Sequence, residues 1–173
     1  AAENQTLRWL ADLAGFPADA GGVFVAGGTV GNLSALIAAR HAASQRRDVR
    51  PERWAIAASP AVHSSIANAA RVMDVDVLWV DGDTEGRLSG EALDAAFTAQ
   101  PEQVDGVFAV VANVGATNAG IVDHLDSVAD FCSRRDLWLH IDGAYGLAAM
   151  ASPRVRSRLT GLERADSFVV DPH

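Results

Sequence analysis

Short apolar segments alternate with helical segments along the chain, and this alternation limits the fold more than any other feature. Apolar runs of the kind that form buried strands occupy residues 23–25, 54–58, 75–80, 107–112, 137–142 and 167–170. Helical spacing or capping signals occupy residues 3–13, 31–44, 64–71, 89–100 and 123–134. Mostly apolar strands linked by helices are typical of a parallel sheet. The sequence therefore predicts an α/β fold, with a mostly parallel sheet and helices on both faces.

The charge and the cysteine content bear on partners and compartment. The formal net charge is −8, whereas nucleic acids and anionic membrane surfaces select proteins with a basic face. No apolar run approaches the ~20 residues that span a bilayer. The single cysteine, Cys132, cannot form a disulfide within the chain, and such a content is typical of a reducing compartment. We therefore expect a cytoplasmic protein that binds neither nucleic acid nor membrane.

A glycine-rich turn precedes the first long helix, in the stretch VAGGTVGNLSALIAAR of residues 25–40. Glycine lets the backbone approach an anion closely, and the free N–H groups of a helix N-terminus favour phosphate. Gly28 and Thr29 lie at this point, and the threonine hydroxyl adds a donor. The full G-x-G-x-x-G spacing of a dinucleotide site is absent. The stretch therefore predicts either a phosphate site or a tight turn without a ligand.

Two further loops follow predicted strands, at the edge of a parallel sheet where ligands collect. His63 lies in the loop after the second strand, where it either caps a helix or lies flat against an aromatic ligand. Thr117 lies among the small residues Gly115, Ala116 and Gly120 after the strand at 107–112. Small residues leave space and polar ones offer hydrogen bonds. A polar turn without a ligand explains this second loop equally well.

Asp142 is the most informative residue. It ends the strongly apolar strand of residues 137–142, so its carboxylate is expected at the sheet edge with little water around it. Such a carboxylate needs a cation, which can be a metal ion or a protonated ligand nitrogen. No metal-ligand spacing is recognisable among the other His and Asp residues. A pyridinium nitrogen suits the site, and Ala144 and Gly146 leave room for a flat ring.

Four motifs in this order identify a family resemblance that extends over essentially all 173 residues. They are AGGTVGNL at 26–33, VHSSIANAA at 62–70, HIDGAYG at 140–146 and DSFVVDPH at 166–173. The chain resembles the group II pyridoxal-phosphate-dependent decarboxylases, the family of aromatic amino acid, glutamate and histidine decarboxylases. The resemblance implies the large domain of the fold type I, aspartate aminotransferase-like enzymes. Residues 1–173 would form part of that domain, with an N-terminal segment and a small C-terminal domain outside this sequence.

The resemblance also implies how pyridoxal 5'-phosphate would be bound. Gly28 and Thr29 would bind the phosphate and the neighbouring ring edge. Thr117 would hydrogen-bond near the ring substituents, and Ala144 would pack on one face of the ring. In the family the last motif continues directly with the lysine that holds the cofactor as a Schiff base. The chain contains fourteen arginines and no lysine, so that lysine is expected directly after His173.

The catalytic residues that the resemblance implies are His63, Asp142 and His173, and all three would also contact the cofactor. His63 would stack on the pyridine ring and help to place the substrate carboxylate. Asp142 would pair with the ring nitrogen, and His173 would contact the phosphate or relay protons. Two positions depart from the common family pattern: Asp171 replaces a frequent Asn, and Gly143 replaces a frequent Ala.

The implied function is decarboxylation of an L-amino acid to the amine and CO2 in a homodimer with active sites at the subunit interface. Another reaction of the same fold type, by an aminotransferase, a lyase or an aldehyde-forming enzyme, is the first alternative. A dinucleotide-binding domain is disfavoured because residues 57–59, Ala-Ala-Ser, offer no acidic residue at the end of the second strand. A non-catalytic scaffold is favoured only if no lysine follows His173.

Overall fold

Five parallel strands form one sheet in the computed structural model, which describes residues 2–171. The strands are β1 (Ala55–Ala58), β2 (Asp76–Trp79), β3 (Val107–Asn113), β4 (Trp138–Asp142) and β5 (Ser167–Val169). Their order across the sheet is β2-β1-β3-β4-β5, and each neighbouring pair is parallel. The mostly parallel α/β sheet expected from the sequence is confirmed.

Seven α-helices surround the sheet within the described residues. They are α1 (Ala2–Ala14), α2 (Gly28–Arg46), α3 (Ser64–Met73), α4 (Gly90–Ala99), α5 (Pro101–Val104), α6 (Leu125–Arg135) and α7 (Pro153–Arg156). Short 3-10 turns occupy Leu147–Ala151, Ser157–Leu159 and Leu162–Arg164. In this part of the chain no helix is both long enough and apolar enough to cross a bilayer.

Alternate residues of each strand face two separate apolar cores. On one face, Leu139 and Ile141 of β4 pack in a cluster that includes buried residues of α4 and α6. On the other face, Ile56 of β1 and Val111 of β3 pack with buried residues of α2 and α3. This period of two places Trp138, His140 and Asp142 of β4 towards α2. Helices therefore cover both faces, as the sequence predicted.

The helix boundaries follow local chemistry. The side chain of Ser89 accepts a hydrogen bond from the backbone N–H of Ala92 and so caps α4. Helix α2 begins three residues earlier than the predicted residue 31, directly after Gly27, whose φ of 91° favours glycine. Its buried face contains Leu36, whereas the adjacent Ile37 is 46% exposed.

The predicted strand at residues 23–25 is wrong. Val23 and Phe24 are 66% and 52% exposed, and the segment is irregular surface chain. Apolar and β-branched residues form a strand only where a neighbouring strand can accept their backbone hydrogen bonds. Within residues 2–171 no strand pairs with this segment.

The strand order places a crevice at the carboxyl ends of the strands. The chain passes from β1 to β2 on one side and then returns to β3 on the other side of β1. Connections that leave a sheet in opposite directions open a space at this edge, and ligands of open α/β sheets bind there.

Candidate active site

A cavity of about 350 Å³ lies at the carboxyl edge of the sheet. This volume falls within the ~300–1,000 Å³ of small-molecule sites. Its walls come from the start of α2 and from the segments that follow β1, β3, β4 and β5. The lining residues that the sequence had singled out for a role are Gly28, Thr29, His63, Thr117, Asp142 and Ala144. One cavity thus brings together every predicted site residue except His173, which lies outside the described residues.

The first turn of α2 forms one wall of this cavity, with Gly28 and Thr29 at its surface. The N–H groups of a first turn have no acceptor within their own helix and carry the positive end of the helix dipole. A β-carbon on Gly28 would lie 2.8 Å from the β-carbon of Ala144. The absence of a side chain at residue 28 therefore allows the helix end to approach the loop after β4. The N–H groups of Val30 and Gly31 donate to the carbonyl oxygen of Gly27, so the N–H groups of Gly28 and Thr29 are the ones available to an anion.

His63 is both a helix cap and a wall of the cavity. Its Nδ1 accepts a hydrogen bond from the backbone N–H of Ser65 at 3.2 Å, which caps α3. The same imidazole is exposed and lines the cavity. The capping interpretation is confirmed, and the position of the ring also permits contact with a ligand.

Asp142 lies at the end of β4 and is only 7% exposed. Its Oδ2 accepts a hydrogen bond from Nδ2 of Asn32 at 2.9 Å, and its Oδ1 accepts one from the backbone N–H of Ala144 at 3.3 Å. No arginine or histidine within residues 2–171 forms an ion pair with it. The carboxylate therefore lines the cavity without a cationic partner in the described part of the chain.

A row of buried polar side chains lies behind Asp142. His140 is fully buried, and its Nε2 lies 2.9 Å from Oδ1 of Asn32. Its Nδ1 lies 2.9 Å from Oγ of Ser167, which also accepts a hydrogen bond from Nε1 of Trp138 at 2.8 Å. Burial lowers the pKa of His140 to about 4, so the imidazole is uncharged at neutral pH.

A second buried carboxylate supports the neighbouring part of the wall, at the end of β3. Asp123 accepts hydrogen bonds from the backbone N–H of Leu88 and from both the backbone and the side chain of Asn113. Burial raises its pKa to about 6, against the opposing effect of these donors. Asn113 lines the cavity at the end of β3, so Asp123 fixes the start of the loop that carries Thr117.

Sequence reasoning missed Asn32 and His140, although both lie within quoted motifs. A signal was present in β4, where the polar residues His140 and Asp142 alternate with the apolar residues Leu139 and Ile141. A strand with such a pattern presents its polar residues to one face. The sequence does not show which residue of α2 contacts them.

The profile of the pyridoxal-dependent decarboxylase conserved domain matches residues 1–173 of this chain. The chain belongs to the pyridoxal-dependent decarboxylase family. This membership confirms the resemblance in the four sequence motifs, and pyridoxal phosphate is the cofactor of the family. The dinucleotide-binding alternative is thereby excluded.

Several decarboxylases of this family are similar to the chain. An aromatic-L-amino-acid decarboxylase of Bacillus atrophaeus is 37% identical over 174 residues, covering 99% of this chain and 36% of the relative. An L-2,4-diaminobutyrate decarboxylase of Rhizobium meliloti is 36% identical, covering 99% of this chain and 34% of the relative. The crystal structure of mouse CSAD superposes with a TM-score of 0.90 at 32% identity, covering 99% of this chain and 37% of that one. The chain thus spans about a third of the length of these decarboxylases.

The residues of the cavity fit pyridoxal phosphate. The start of α2 offers N–H groups to a phosphate, and Asp142 offers a buried carboxylate to a protonated ring nitrogen. His63 and Ala144 supply flat or small surfaces on the same cavity. An anion site and a cation site within one cavity match the two charged ends of this cofactor.

Proposed function

We propose that the protein containing this chain is a pyridoxal-phosphate-dependent carboxy-lyase that converts an L-amino acid into its amine and CO2. The observation that carries the proposal is Asp142, a buried carboxylate that lines the cavity and has no cationic partner among the described residues. A buried carboxylate needs a positive partner. The family profile and the similar decarboxylases support the cofactor as that partner.

The proposal assigns a role towards the cofactor to five further residues of the cavity wall. Gly28 and Thr29 would bind the phosphate through the first turn of α2. Thr117 would hydrogen-bond near the ring substituents, and Ala144 would pack against the ring. His63 would stack on the other ring face and help to place the substrate carboxylate, while it keeps its hydrogen bond to Ser65.

Decarboxylation requires a group that stabilises the electron pair left on Cα. When bound, pyridoxal phosphate supplies a protonated ring that withdraws the pair left behind when the Cα–carboxylate bond breaks. The role of Asp142 is to keep the proton on the ring nitrogen. The role of His63 and its neighbours is to hold the substrate so that the bond to the departing carboxylate stands perpendicular to the ring.

The covalent anchor of the cofactor lies beyond this sequence in the proposal. We infer that a lysine follows His173 directly and carries the cofactor as an imine. His173 would then contact the phosphate or relay protons. The motif DSFVVDPH of residues 166–173 supports this inference, because in the family a lysine comes next.

The assembly and the location are also part of the proposal. The protein would be a cytoplasmic homodimer, with residues 1–173 in its large domain and a small C-terminal domain elsewhere in the full chain. The exposed apolar residues Val23, Phe24 and Tyr145 support a partner surface, and Tyr145 also lines the cavity. The single cysteine of this sequence, Cys132, cannot pair within the chain, which supports a reducing compartment. Burial raises the pKa of its thiol to about 12, so the thiol is not a reactive nucleophile.

The experiment is a product balance with the full-length protein. The protein is supplied with pyridoxal phosphate and with aromatic, acidic and basic L-amino acids in turn, and CO2 and amine are quantified together. The proposal predicts equal amounts of CO2 and amine from at least one substrate class. CO2 released with aldehyde and ammonia would favour an aldehyde-forming enzyme, and a 2-oxo acid without CO2 would favour an aminotransferase. Either of these results would overturn the proposed reaction.

A further inference from the structure

Five buried or half-buried side chains form one continuous row of hydrogen bonds that ends on Asp142. The row runs from Trp138 through Ser167, His140 and Asn32 to Asp142, and each link is 2.8–2.9 Å long. Trp138, His140 and Asp142 occupy alternate positions of β4. Ser167 is the register partner of His140 on β5, and Asn32 comes from α2.

The direction of every hydrogen bond in the row follows from Asp142. A carboxylate only accepts, so the amide nitrogen of Asn32 must face it and the amide oxygen must face His140. Nε2 of His140 must then carry the hydrogen. Since the imidazole is uncharged, its Nδ1 has none and accepts from the hydroxyl of Ser167. That hydroxyl oxygen in turn accepts from the indole N–H of Trp138, so all donors point towards Asp142.

Asn32 has no unused hydrogen-bonding group that would permit another orientation. One amide hydrogen goes to Asp142 and the other to Oγ of Ser65 at 2.9 Å, while the oxygen accepts from His140. Asn32 is 1% exposed, so water cannot replace these partners. A rotated amide would place its oxygen against the carboxylate and leave a buried donor opposite another donor.

We propose that Asn32 and His140 are positioning residues that hold the Asp142 carboxylate in one orientation for the ring nitrogen of the cofactor. The inference rests on the proposed function, since it takes pyridoxal phosphate as the partner of Asp142. Asn32 binds one carboxylate oxygen directly, and His140 fixes the amide that does so. Neither residue touches the reacting bond.

A merely structural role for the row predicts a different outcome. Loss of buried hydrogen bonds would then destabilise the protein and weaken the binding of every ligand in the cavity to the same extent. A positioning role weakens only the interaction with the ring nitrogen. A ligand that lacks this nitrogen but keeps the phosphate and the aldehyde distinguishes the two.

The experiment compares dissociation constants of the full-length apoprotein for pyridoxal phosphate and for its 1-deaza analogue, in which carbon replaces the ring nitrogen. The wild type is expected to prefer pyridoxal phosphate, and Asp142→Ala should abolish the preference. Asn32→Ala and His140→Leu should each reduce the preference by up to about tenfold, with little change in affinity for the analogue. His140→Gln, whose amide can donate to Asn32, should restore much of it.

Three outcomes would overturn the inference. A preference that stays at its wild-type value in both Asn32→Ala and His140→Leu overturns the positioning role while the proposed function stands. The positioning role is also overturned if the variants bind pyridoxal phosphate and the analogue more weakly to the same extent, with no difference between His140→Leu and His140→Gln. If Asn32→Ala does not fold, the two His140 variants supply the same comparison. A wild type that does not bind pyridoxal phosphate overturns the proposed function and this inference together.

Discussion

Gly28 and Ala144 approach so closely that a β-carbon at residue 28 would lie 2.8 Å from the β-carbon of Ala144. Neither group can rotate away, because one is fixed to a helix and the other is a single methyl. The substitution Gly28→Ala must therefore shift the first turn of α2 or the loop after β4. We expect a loss of about 1–3 kcal/mol in the free energy of unfolding and weaker binding of pyridoxal phosphate.

Gly21→Ala is the matched control for this prediction, because a β-carbon there meets nothing within 4 Å. Denaturant unfolding and cofactor titration of the full-length protein check both variants. If Gly28→Ala behaves like Gly21→Ala in both measurements, the close approach does not shape the site.

The two roles of His63 can be separated by two substitutions. His63→Asn keeps a good helix-capping side chain for the Ser65 N–H but removes the ring, so stability should hold while cofactor affinity and turnover fall. His63→Phe keeps a flat ring but removes the acceptor, which should cost about 1 kcal/mol of stability with less effect on cofactor affinity. Thermal unfolding and cofactor titration test the pair. The same ranking of the two variants in both measurements would show that the roles are not separable.

Asp142→Asn tests the charge of the carboxylate at nearly constant shape. An amide cannot hold a proton on the ring nitrogen by charge, so we expect turnover to fall by roughly 10²-fold or more. CO2 release under cofactor saturation is the measurement. Asp105→Asn, at an exposed aspartate far from the cavity, is the control and should be unaffected. Near-normal turnover of Asp142→Asn would contradict the assigned role.

Two buried groups give opposing contributions to stability as the pH changes. The pKa of Asp123 is raised from 3.8 to about 6, so the native state binds more protons than the unfolded state in this window, and stability falls as the pH rises. The pKa of His140 is lowered from 6.5 to about 4, so the unfolded state binds more protons and stability rises with pH. Each effect is ~3 kcal/mol, and the two largely cancel in the wild type.

Substitution of either residue should therefore reveal the pH dependence of stability that the other residue causes. Asp123→Asn should make stability rise more steeply from pH 4 to 6.5, and His140→Gln should make it fall over the same range. Urea unfolding midpoints across this range check the slopes, irrespective of any constant loss of stability. Profiles parallel to that of the wild type would show that these two groups do not titrate as assigned.

Much of the fold followed from the sequence because its signals are local. The apolar runs at 107–112 and 137–142 became β3 and β4, and Ser89 capped α4 as its position before a helix predicts. The run at 23–25 has the same local signal, yet it lies on the surface because a strand also needs a neighbour. Whether a neighbouring strand is present depends on the tertiary fold, and residues 23–25 alone do not show it.

The site also contains residues that the sequence could predict and residues that it could not. The positions of Asp142 at the end of β4 and of Thr117 in the loop after β3 could be predicted, because parallel strands bring their carboxyl ends to one edge of the sheet. Asn32 could not, because its role depends on which face of α2 packs on β4. The amide lies 110 residues from Asp142 in sequence and 2.9 Å from it in space.

The most direct measurement of the central claim is peptide mapping of the full-length protein after reduction with borohydride. Reduction converts an imine between the cofactor and a lysine into a stable amine, so the cofactor stays on the residue that held it. The account predicts a phosphopyridoxyl-lysine immediately after His173. A cofactor attached to another residue would contradict the predicted anchor. No lysine at that position would contradict the account and leave the non-catalytic scaffold as the better explanation.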